Sequence, residues 1–473
     1  MKNPTNIILI HTDQQRGDCL GIEGHPVLET PNMDNLALNG TRFNRFYSTC
    51  PSCIATRRSI LLGQSPRKHG IIGYHDGLEM DKSSPTLPQL LKENGYQTYD
   101  IGCGMHQYPP RKRYGFDDME LIGGSQSTHF SEYGEWFDEN CPKGSRHQGI
   151  FGVGITHCDW TARPWHLDEY LHPSNWTVER ALRFFERHDP TQPFFLSIGF
   201  SAPHPPLQPP QFYFDRYLRT GTPGPAIGDW SSMDWGNSHD HVSADKIVLN
   251  EEEMRTLRAA YYGSINHVDD LLRRIFNPVG GNILKDTIVI FTSDHGEMLG
   301  DHYMFRKSRA YEGSARVPFI MTAPDEFGIK RGVVVDNVAS HHDIMPTLLD
   351  MLDIPIPDSV DGKSLYPLLQ GESEILREYL HIEHYPYHQC VTDGKQKYIW
   401  CPKSGNEQFF DLTTDPNECH NLIKDEASQN AIVLWRLRLI NELKNRPEAF
   451  IKGDKLCIGA EWNSTIPDII NQK

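Results

Sequence analysis

No apolar run in the 473 residues reaches the roughly 18 that a membrane-spanning helix needs. The longest, such as 6–10 and 287–291, have the length of strands, so no membrane partner is expected. Positive charge is also scarce: 46 Lys and Arg stand against 62 Asp and Glu, a formal net charge of −16. A broadly basic face for nucleic acid is therefore excluded, and any anion the protein handles must meet a local cationic site. The amino end, MKNPTNIILIHTD, passes from Met1 into a strand-like run with no apolar signal core and no small-residue cleavage site. As written, the chain is expected to be cytoplasmic. A processed chain whose export signal had been exchanged would read the same and would be periplasmic or secreted. No internal repeat and no low-complexity segment occurs. The ten cysteines are scattered through a chain large enough to fold without staples, which predicts mostly reduced, partly buried thiols.

What the chain does contain is a regular alternation. Short runs rich in Ile, Val, Phe and Tyr, at 6–11, 98–101, 194–200 and 287–291, lead into polar or Gly-rich segments. Helical patterns at 33–39, 86–94, 177–187 and 252–276 lie between them. Strands alternating with helices predict an α/β fold, a mainly parallel central sheet flanked by helices on both faces. Ligands of such sheets bind beyond the carboxyl ends of the strands. Asp13 and Gln14 follow the first run, His106 the second after a short Gly turn, His204 the third, and Asp294 and His295 the fourth. A single His after a strand is ordinarily a loop residue, and Asp294-His295 alone would read as a helix cap with a surface imidazole. Four coincident strand ends instead point to a site.

Near residue 370 the texture changes. The alternation ends with SLYPLLQG at 364–371, and hairpin-like pieces at 379–384, 397–401 and 408–412 follow, with turn signals at 392–394 and 403–406. An amphipathic stretch at 427–443 reads as a helix with its apolar stripe on Ile432, Trp435, Leu439 and Leu443. The expected division is a catalytic α/β domain over 1–371 and a smaller carboxy-terminal α+β subdomain over 372–473, with a small antiparallel sheet and a helix.

Two stretches resist a regular reading, 157–176 and 219–241. They carry Trp160, Trp165, Trp176, Trp230 and Trp235, more than half of the nine Trp, in loops interrupted by Pro and Gly. Such rings either pack on the domain or form a rim that stacks on sugar rings, since long ordered loops often shape a substrate mouth.

Residues 50–63 read CPSCIATRRSILLG, and Cys50 and Cys53 have the C-x-x-C spacing of redox and zinc sites. Zinc would need a second pair, and none occurs at comparable spacing; thioredoxin-like chemistry belongs to a much smaller βαβ unit. From Cys53 onward the sequence runs Cys-x-Ala-x-Arg-x-x-x-Leu-x-Gly, through Ala55, Arg57, Leu61 and Gly63. An Arg one helical turn beyond Cys53 shares its face, and a helix amino end there favours an anion.

That pattern resembles the signature of the type I sulfatases, formylglycine-dependent members of the alkaline-phosphatase superfamily, in which the Cys is oxidised after synthesis to an aldehyde. Measured from Cys50 the fourth position is Ile54, so the match singles out Cys53. Residues 7–14 look like the family's first metal strand, 293–297 like its second, and Lys307 with Tyr311-Glu312-Gly313 like its Lys loop. Residues 202–206, 342–347 and 410–416 also match in order, so the resemblance covers nearly the whole chain. It implies an alkaline-phosphatase-like fold and hydrolysis of a sulfate monoester.

The resemblance further implies the roles of residues. Asp13, Gln14, Asp294 and His295 would hold one divalent ion, with the hydrated aldehyde of residue 53 completing the shell; Ca²⁺ is the usual family ion, and Mn²⁺ or Mg²⁺ stays open because His295 and Gln14 replace ligands seen in other members. Arg57 and the ion would lower the pKa of one hydroxyl of the hydrate and aim it at sulfur. His204 and Lys307 would bind the sulfate and protonate the leaving oxygen, and His106 would deprotonate the second hydroxyl so that sulfate departs. Lys307 could otherwise be an ordinary solvated Lys beside Arg306 and Arg309. A formylglycine-generating maturase is the implied partner.

One departure stands out. The family commonly has Gly-Lys-x-His before the strand-end imidazole, whereas here the run is Cys103-Gly104-Met105-His106, so a sulfate-contacting Lys is replaced by Gly104. His75, Arg163 and Lys307 are the candidates to supply the missing charge. The same departure, with the Asp-Gln pair, is shared with phosphonate monoester and phosphodiester hydrolases, the alternative reading. The aromatic loops, the residues Arg163, His166, His172, His239 and His241, and the basic hairpin 395–397 would suit a sulfated oligosaccharide, although the hairpin reads equally as a solvated turn. A different class also stands: an inactive relative that binds sulfated glycans, or a redox protein using Cys50 and Cys53. The first predicts a lost metal ligand or nucleophile, and neither loss is visible.

Overall fold

The computed structural model describes residues 5–123, 131–143, 154–155, 160–234, 245–277, 285–372, 375–466 and 469. Its strands in chain order are β1 (Asn6–Asp13), β2 (Thr41–Phe43), β3 (Phe46–Tyr47), β4 (Gln97–Gly102), β5 (Asp118–Leu121), β6 (Phe194–Pro203) and β7 (Thr287–Ser293). There follow β8 (Phe319–Thr322), β9 (Val333–Val335), β10 (Ala339–Ser340), β11 (Leu380–His384), β12 (His388–Thr392), β13 (Gln396–Trp400) and β14 (Glu407–Asp411). Eight of them form one sheet in the order β5-β4-β6-β1-β7-β8-β2-β9. Neighbours are parallel except where β8 runs against β7 and β2.

The sheet is buried on both faces because successive residues of its central strands point to opposite sides. On β1, Ile8 and Ile10 join one core with the helices Pro31–Leu38, Pro173–Arg187 and Glu251–Phe276. Ile7 and Leu9 join the other, with Cys53–Leu62, Leu87–Glu93 and Ile344–Met351. The long helix Glu251–Phe276 starts on a capping box between Asn250 and Glu253 and carries three acidic residues in its first turn and Arg273 and Arg274 in its last, matching its dipole.

Register decides where the site lies. Ile10 pairs with Ile198 on β6 and Phe291 on β7, and Gly102 of β4 pairs with Gly199 of β6. The carboxyl ends of β4, β6, β1 and β7 therefore sit side by side and level. Gly199 is required there, since a Cβ on it would lie 2.7 Å from both Cys103 Sγ and His11 Cε1.

Past residue 371 the chain forms a four-stranded antiparallel meander, β11-β12-β13-β14, and the helix Gln429–Leu443. One face of the meander, Val391, Tyr398, Trp400 and Phe409, packs on Ile432, Trp435, Leu439 and Leu443 of that helix. The opposite face, including Ile382, Cys390, Ile399 and Phe410, shares a core with Tyr47, Met298, Ala310 and Tyr311 of the large sheet's loops. Among the described residues no helix is long and apolar enough to cross a membrane.

The hairpin 395–397 divides: Lys395 is exposed, as a solvated turn requires, and Lys397 departs from both readings. Lys397 is neither solvated nor on a sugar-binding rim: it is fully buried, and its Nζ donates to Ala310 O at 2.7 Å, Glu312 Oε1 at 2.8 Å and Glu418 Oε1 at 2.7 Å. Position 397 shares the strand face of Ile399, which turns toward the large domain, and two carboxylates there make burial of an ammonium affordable.

The irregular loops divide similarly. The helix expected from 177 begins at Pro173, since Pro at a first helical position costs no hydrogen bond and the His172 ring accepts from Ser174 N. Trp176 thereby lies on that helix, wholly buried. Trp230 stacks on Tyr311 at 4.9 Å between centroids and donates to Glu418 O. His157, Cys158, Trp235, His239 and His241 lie outside the described residues.

Candidate active site

Arg57 is the centre of the polar cluster at the level strand ends. It sits in the helix Cys53–Leu62, whose first residue is Cys53, one turn earlier on the same face. Its Nη2 lies 2.6 Å from Asp13 Oδ2, its Nε 3.0 Å from Asp294 Oδ2, and its Nη1 2.9 Å from Gly104 O. One guanidinium thus ties the ends of β1, β4 and β7 to the helix, and all three side chains are buried.

Cys53 Sγ is 2.9 Å from Lys307 Nζ and 3.2 Å from His295 Nε2. Lys307 reaches it because its loop is pinned on both sides: Met298 N donates to Arg306 O at 2.8 Å, and Ser308 N to Pro51 O at 3.0 Å. The loop lies this close only because Gly296 passes against Gly313, where a Cβ would come within 2.0 Å of Gly313 O. His295 Nδ1 is 3.0 Å from Gly296 O, which fixes the ring so that Nε2 faces the cluster.

Donor atoms of Asp13, Cys53, Asp294 and His295 all lie within 4.8 Å of one another. Asp13 Oδ1 and Gln14 Oε1 are buried and have no hydrogen-bond partner among the described residues. Gln14 donates its amide nitrogen to Glu297, which frees that oxygen as a ligand. Orphaned buried oxygens beside two carboxylates and an imidazole nitrogen are what a divalent cation would satisfy, and the donor set suits a hard ion.

Burial raises Asp13, but His204, Arg57, Lys307 and His295 together hold its carboxyl far below the usual range. Burial and Asp13 push the Cys53 thiol up, yet Lys307 and His295 outweigh them and bring it down to about 6. Cys50 behaves oppositely: burial and Glu383 push it well above the ordinary value, in an apolar cluster with Ile54, Ala55 and Ile71. In protein whose Cys53 is still a thiol, iodoacetamide alkylation of Cys53 should therefore rise through a midpoint near pH 6 and level off above about pH 7 as the thiolate fills, while Cys50 stays unlabelled. Peptide mass mapping against pH checks it; equal labelling of the two would contradict the environment described.

A cavity of about 950 Å³ opens on this cluster and is lined by Asp13, Cys53, Arg57, His106, His204 and Lys307 at its head. His106 is exposed, with φ of 47°. His204 is half-buried, and its Nδ1 lies 2.6 Å from Pro205 O. Trp165 and His172, from the irregular loop, line the same cavity; Trp160 lines a separate small one. His75 and Arg163 contribute to neither wall. The His75 ring is bound to Ser464 at 3.0 Å, and Arg163 is exposed beside Ala162, which bridges to Leu207. Of the three candidates His75, Arg163 and Lys307, Lys307 alone stands in the described cluster.

Two contributors carried little signal in the sequence. Glu297, buried, binds Gln14 Nε2 and accepts from Leu299 N at 2.9 Å, so it orients a ligand amide. It belongs to the 293–297 motif, and its nearness to two ligands was the available clue. Asp100 lines the cavity from inside β4, where an acid in an otherwise apolar run was the only hint.

A family model described as Sulfatase matches residues 5–354, and one described as N-sulphoglucosamine sulphohydrolase, C-terminal, matches residues 300–445. The chain is similar to the arylsulfatase of Clostridium perfringens, at 41% identity over 474 residues, covering 96% of this chain and 97% of that one. The structure of the phosphonate monoester hydrolase of Agrobacterium radiobacter superposes with a TM-score of 0.78 at 24% identity, covering 92% of this chain and 95% of that one. A structure solved in complex with its substrate D-glucosamine-2-N,6-O-disulfate gives 0.73 at 21% identity, covering 93% and 98%. These two likenesses speak to the fold, the alkaline-phosphatase-like α/β sheet with a small antiparallel sheet after it.

Proposed function

The chain belongs to the sulfatase family and is a sulfuric ester hydrolase, and from that premise we propose that it cleaves a sulfate monoester of a sulfated sugar with a formylglycine made from Cys53, beside one divalent ion. The observation that carries the reading is the convergence on Cys53 Sγ of Lys307 Nζ and His295 Nε2, with Arg57 binding both Asp13 and Asp294. Asp13, Gln14, Asp294 and His295 would hold the ion, Ca²⁺ by the oxygen-rich donors, with Mn²⁺ or Mg²⁺ compatible with the same set. When bound, the ion supplies Lewis-acid stabilisation of negative charge, and the hydrated aldehyde supplies the nucleophilic oxygen in place of Sγ.

The chain's own side chains do the rest. Arg57 fixes the two carboxylates and keeps a cation beside residue 53. Lys307 Nζ, 2.9 Å from Sγ, lies where it can bind a sulfate oxygen, and it and His204 are the donors to the departing oxygen. His106, at the exposed rim, accepts a proton from residue 53 as sulfate is released. Trp165 and His172 on the cavity wall offer aromatic surface to a sugar.

The test begins with peptide mass analysis across Cys53 after expression with a formylglycine-generating maturase. Aldehyde at residue 53 and sulfate release from a panel of sulfated sugars, lost on chelation and restored by one divalent ion, is the expected result. Turnover of phosphonate monoesters or phosphodiesters in preference to every sulfate ester would favour the alternative reading, for which Gly104 in place of Lys is the supporting observation. Aldehyde without hydrolysis of any ester would leave binding of sulfated glycans as the function.

A further inference from the structure

Asp100 has no part in the chemistry above, yet it is 1% exposed, it lines the catalytic cavity, and its Oδ1 has no hydrogen-bond partner among the described residues. Across the sheet it pairs in register with Ser197, which pairs with Leu9, so it faces the core under the helix Cys53–Leu62. Leu61, Met105, Phe116 and Met119 give the same cavity apolar wall, and Arg111, Lys112 and Arg113 also line it. An unsatisfied carboxyl oxygen in such surroundings costs free energy unless something that donates to it arrives.

The neighbouring position explains what is missing. Gly104 would place a Cβ 3.3 Å from Asp100 Oδ2, and the chain carries no side chain there. Arg57 is the cation of this neighbourhood, but its three described bonds go to Asp13, Asp294 and Gly104 O and none to Asp100. Burial pushes Asp100 up to about 7 against the pull of the Ser197 hydroxyl, Arg57 and the Met105 amide, so a further cation at Oδ1 would favour its ionised form. Arg57 joins Asp13 and Asp294 to Gly104 O, and Asp100 Oδ2 lies beside Gly104.

Resting on the sulfate-ester reading, we propose that Asp100 is a specificity residue whose unpartnered oxygen receives a protonated amine carried by the alcohol portion of the substrate, the ester being a sulfated amino sugar with its amine free. Its sulfate meets Lys307 and the ion while its ammonium meets Asp100, and the apolar side chains Leu61, Met105, Phe116 and Met119 take the ring's non-polar face.

The experiment compares glucosamine 6-sulfate with glucose 6-sulfate, which has a hydroxyl in place of the amine, on protein carrying the aldehyde. The expected kcat/KM ratio is about tenfold or more in favour of the amine, falling to near unity in Asp100→Asn. Reading the ratio within each protein cancels any general loss of activity in the variant, and Asp100→Ser gives a second reading should the first variant fold poorly. Equal turnover of the two esters by the unsubstituted protein, or a ratio unmoved in either variant, overturns the proposal. Cleavage of 4-nitrophenyl sulfate without an amine preference would sink this inference alone; failure to cleave any sulfate ester would sink the sulfatase reading with it.

Discussion

Cys53→Ala should abolish turnover, lowering kcat by on the order of 10⁵-fold or more, while a sulfated ligand still binds within a few-fold of the unsubstituted affinity. The asymmetry follows from the geometry. The cations that would meet the sulfate, Lys307 and the ion held by Asp13, Gln14, Asp294 and His295, are carried by β1, β7 and the loops after them, with the carboxylates locked by Arg57 and the Lys307 loop pinned by backbone bonds on both sides. The substitution removes the nucleophile and one contact each of Lys307 and His295, and leaves those backbone positions in place. Cys50→Ala is the matched control: its side chain packs among Ile54, Ala55 and Ile71, so the change should cost about 1 kcal/mol of stability and leave kcat within twofold. Steady-state kinetics with a calorimetric binding measurement separates the outcomes. A large kcat loss in Cys50→Ala would revive a dithiol mechanism; retained turnover in Cys53→Ala would end the formylglycine reading.

Cys53 could be singled out in the sequence by its resemblance to the sulfatase signature, which is legible because its residues are local: Arg57 lies one helical turn away on the same helix. The four strand ends were legible for a related reason. A parallel sheet buried on both faces writes its strands as short continuous apolar runs, and the first polar residue after each run is forced to the same edge. Lys307 was harder, since nothing in 306–309 distinguishes a catalytic Lys from a solvated one; its contact with Cys53 depends on Gly296 passing against Gly313, which pairs residues far apart in the chain. The antiparallel β8 and the short β2 and β9 were missed because three or four residues give no periodicity to read. His75 and Arg163 illustrate the converse error. Residue type made them plausible cations for the site, but their neighbours, Ser464 and the bridge of Ala162 to Leu207, come from tertiary packing. Trp176 reads as a loop aromatic until Pro173 is recognised as a helix start.

Lys397 gives the other large effect, on stability. Its ammonium is wholly buried and donates to Glu312 and Glu418 from opposite sides, and Glu418 in turn accepts from Glu312 N at 2.7 Å. Lys397→Met keeps the volume but leaves the buried Glu418 without its cation beside the half-buried Glu312, which retains Arg316, a change expected to cost about 3–5 kcal/mol. Burial and Glu312 push Glu418 up while Lys397 pulls it down, so removing the Lys raises the folded-state pKa further above the unfolded one. A carboxyl whose folded pKa is raised is stabilising when protonated and loses that contribution as pH climbs through the folded value. The variant should therefore be much closer to the unsubstituted protein near pH 5 than near pH 8, and Lys397→Met combined with Glu418→Gln should recover part of the loss. Urea unfolding at both pH values measures it, and a deficit independent of pH would contradict the ionic account. Because the same ammonium also holds Ala310 O, three residues past Lys307, the variant's surviving folded fraction should show a lower kcat, which the double variant should not fully restore. The small carboxy-terminal sheet would then act as a brace for the loop that carries Lys307 to Cys53.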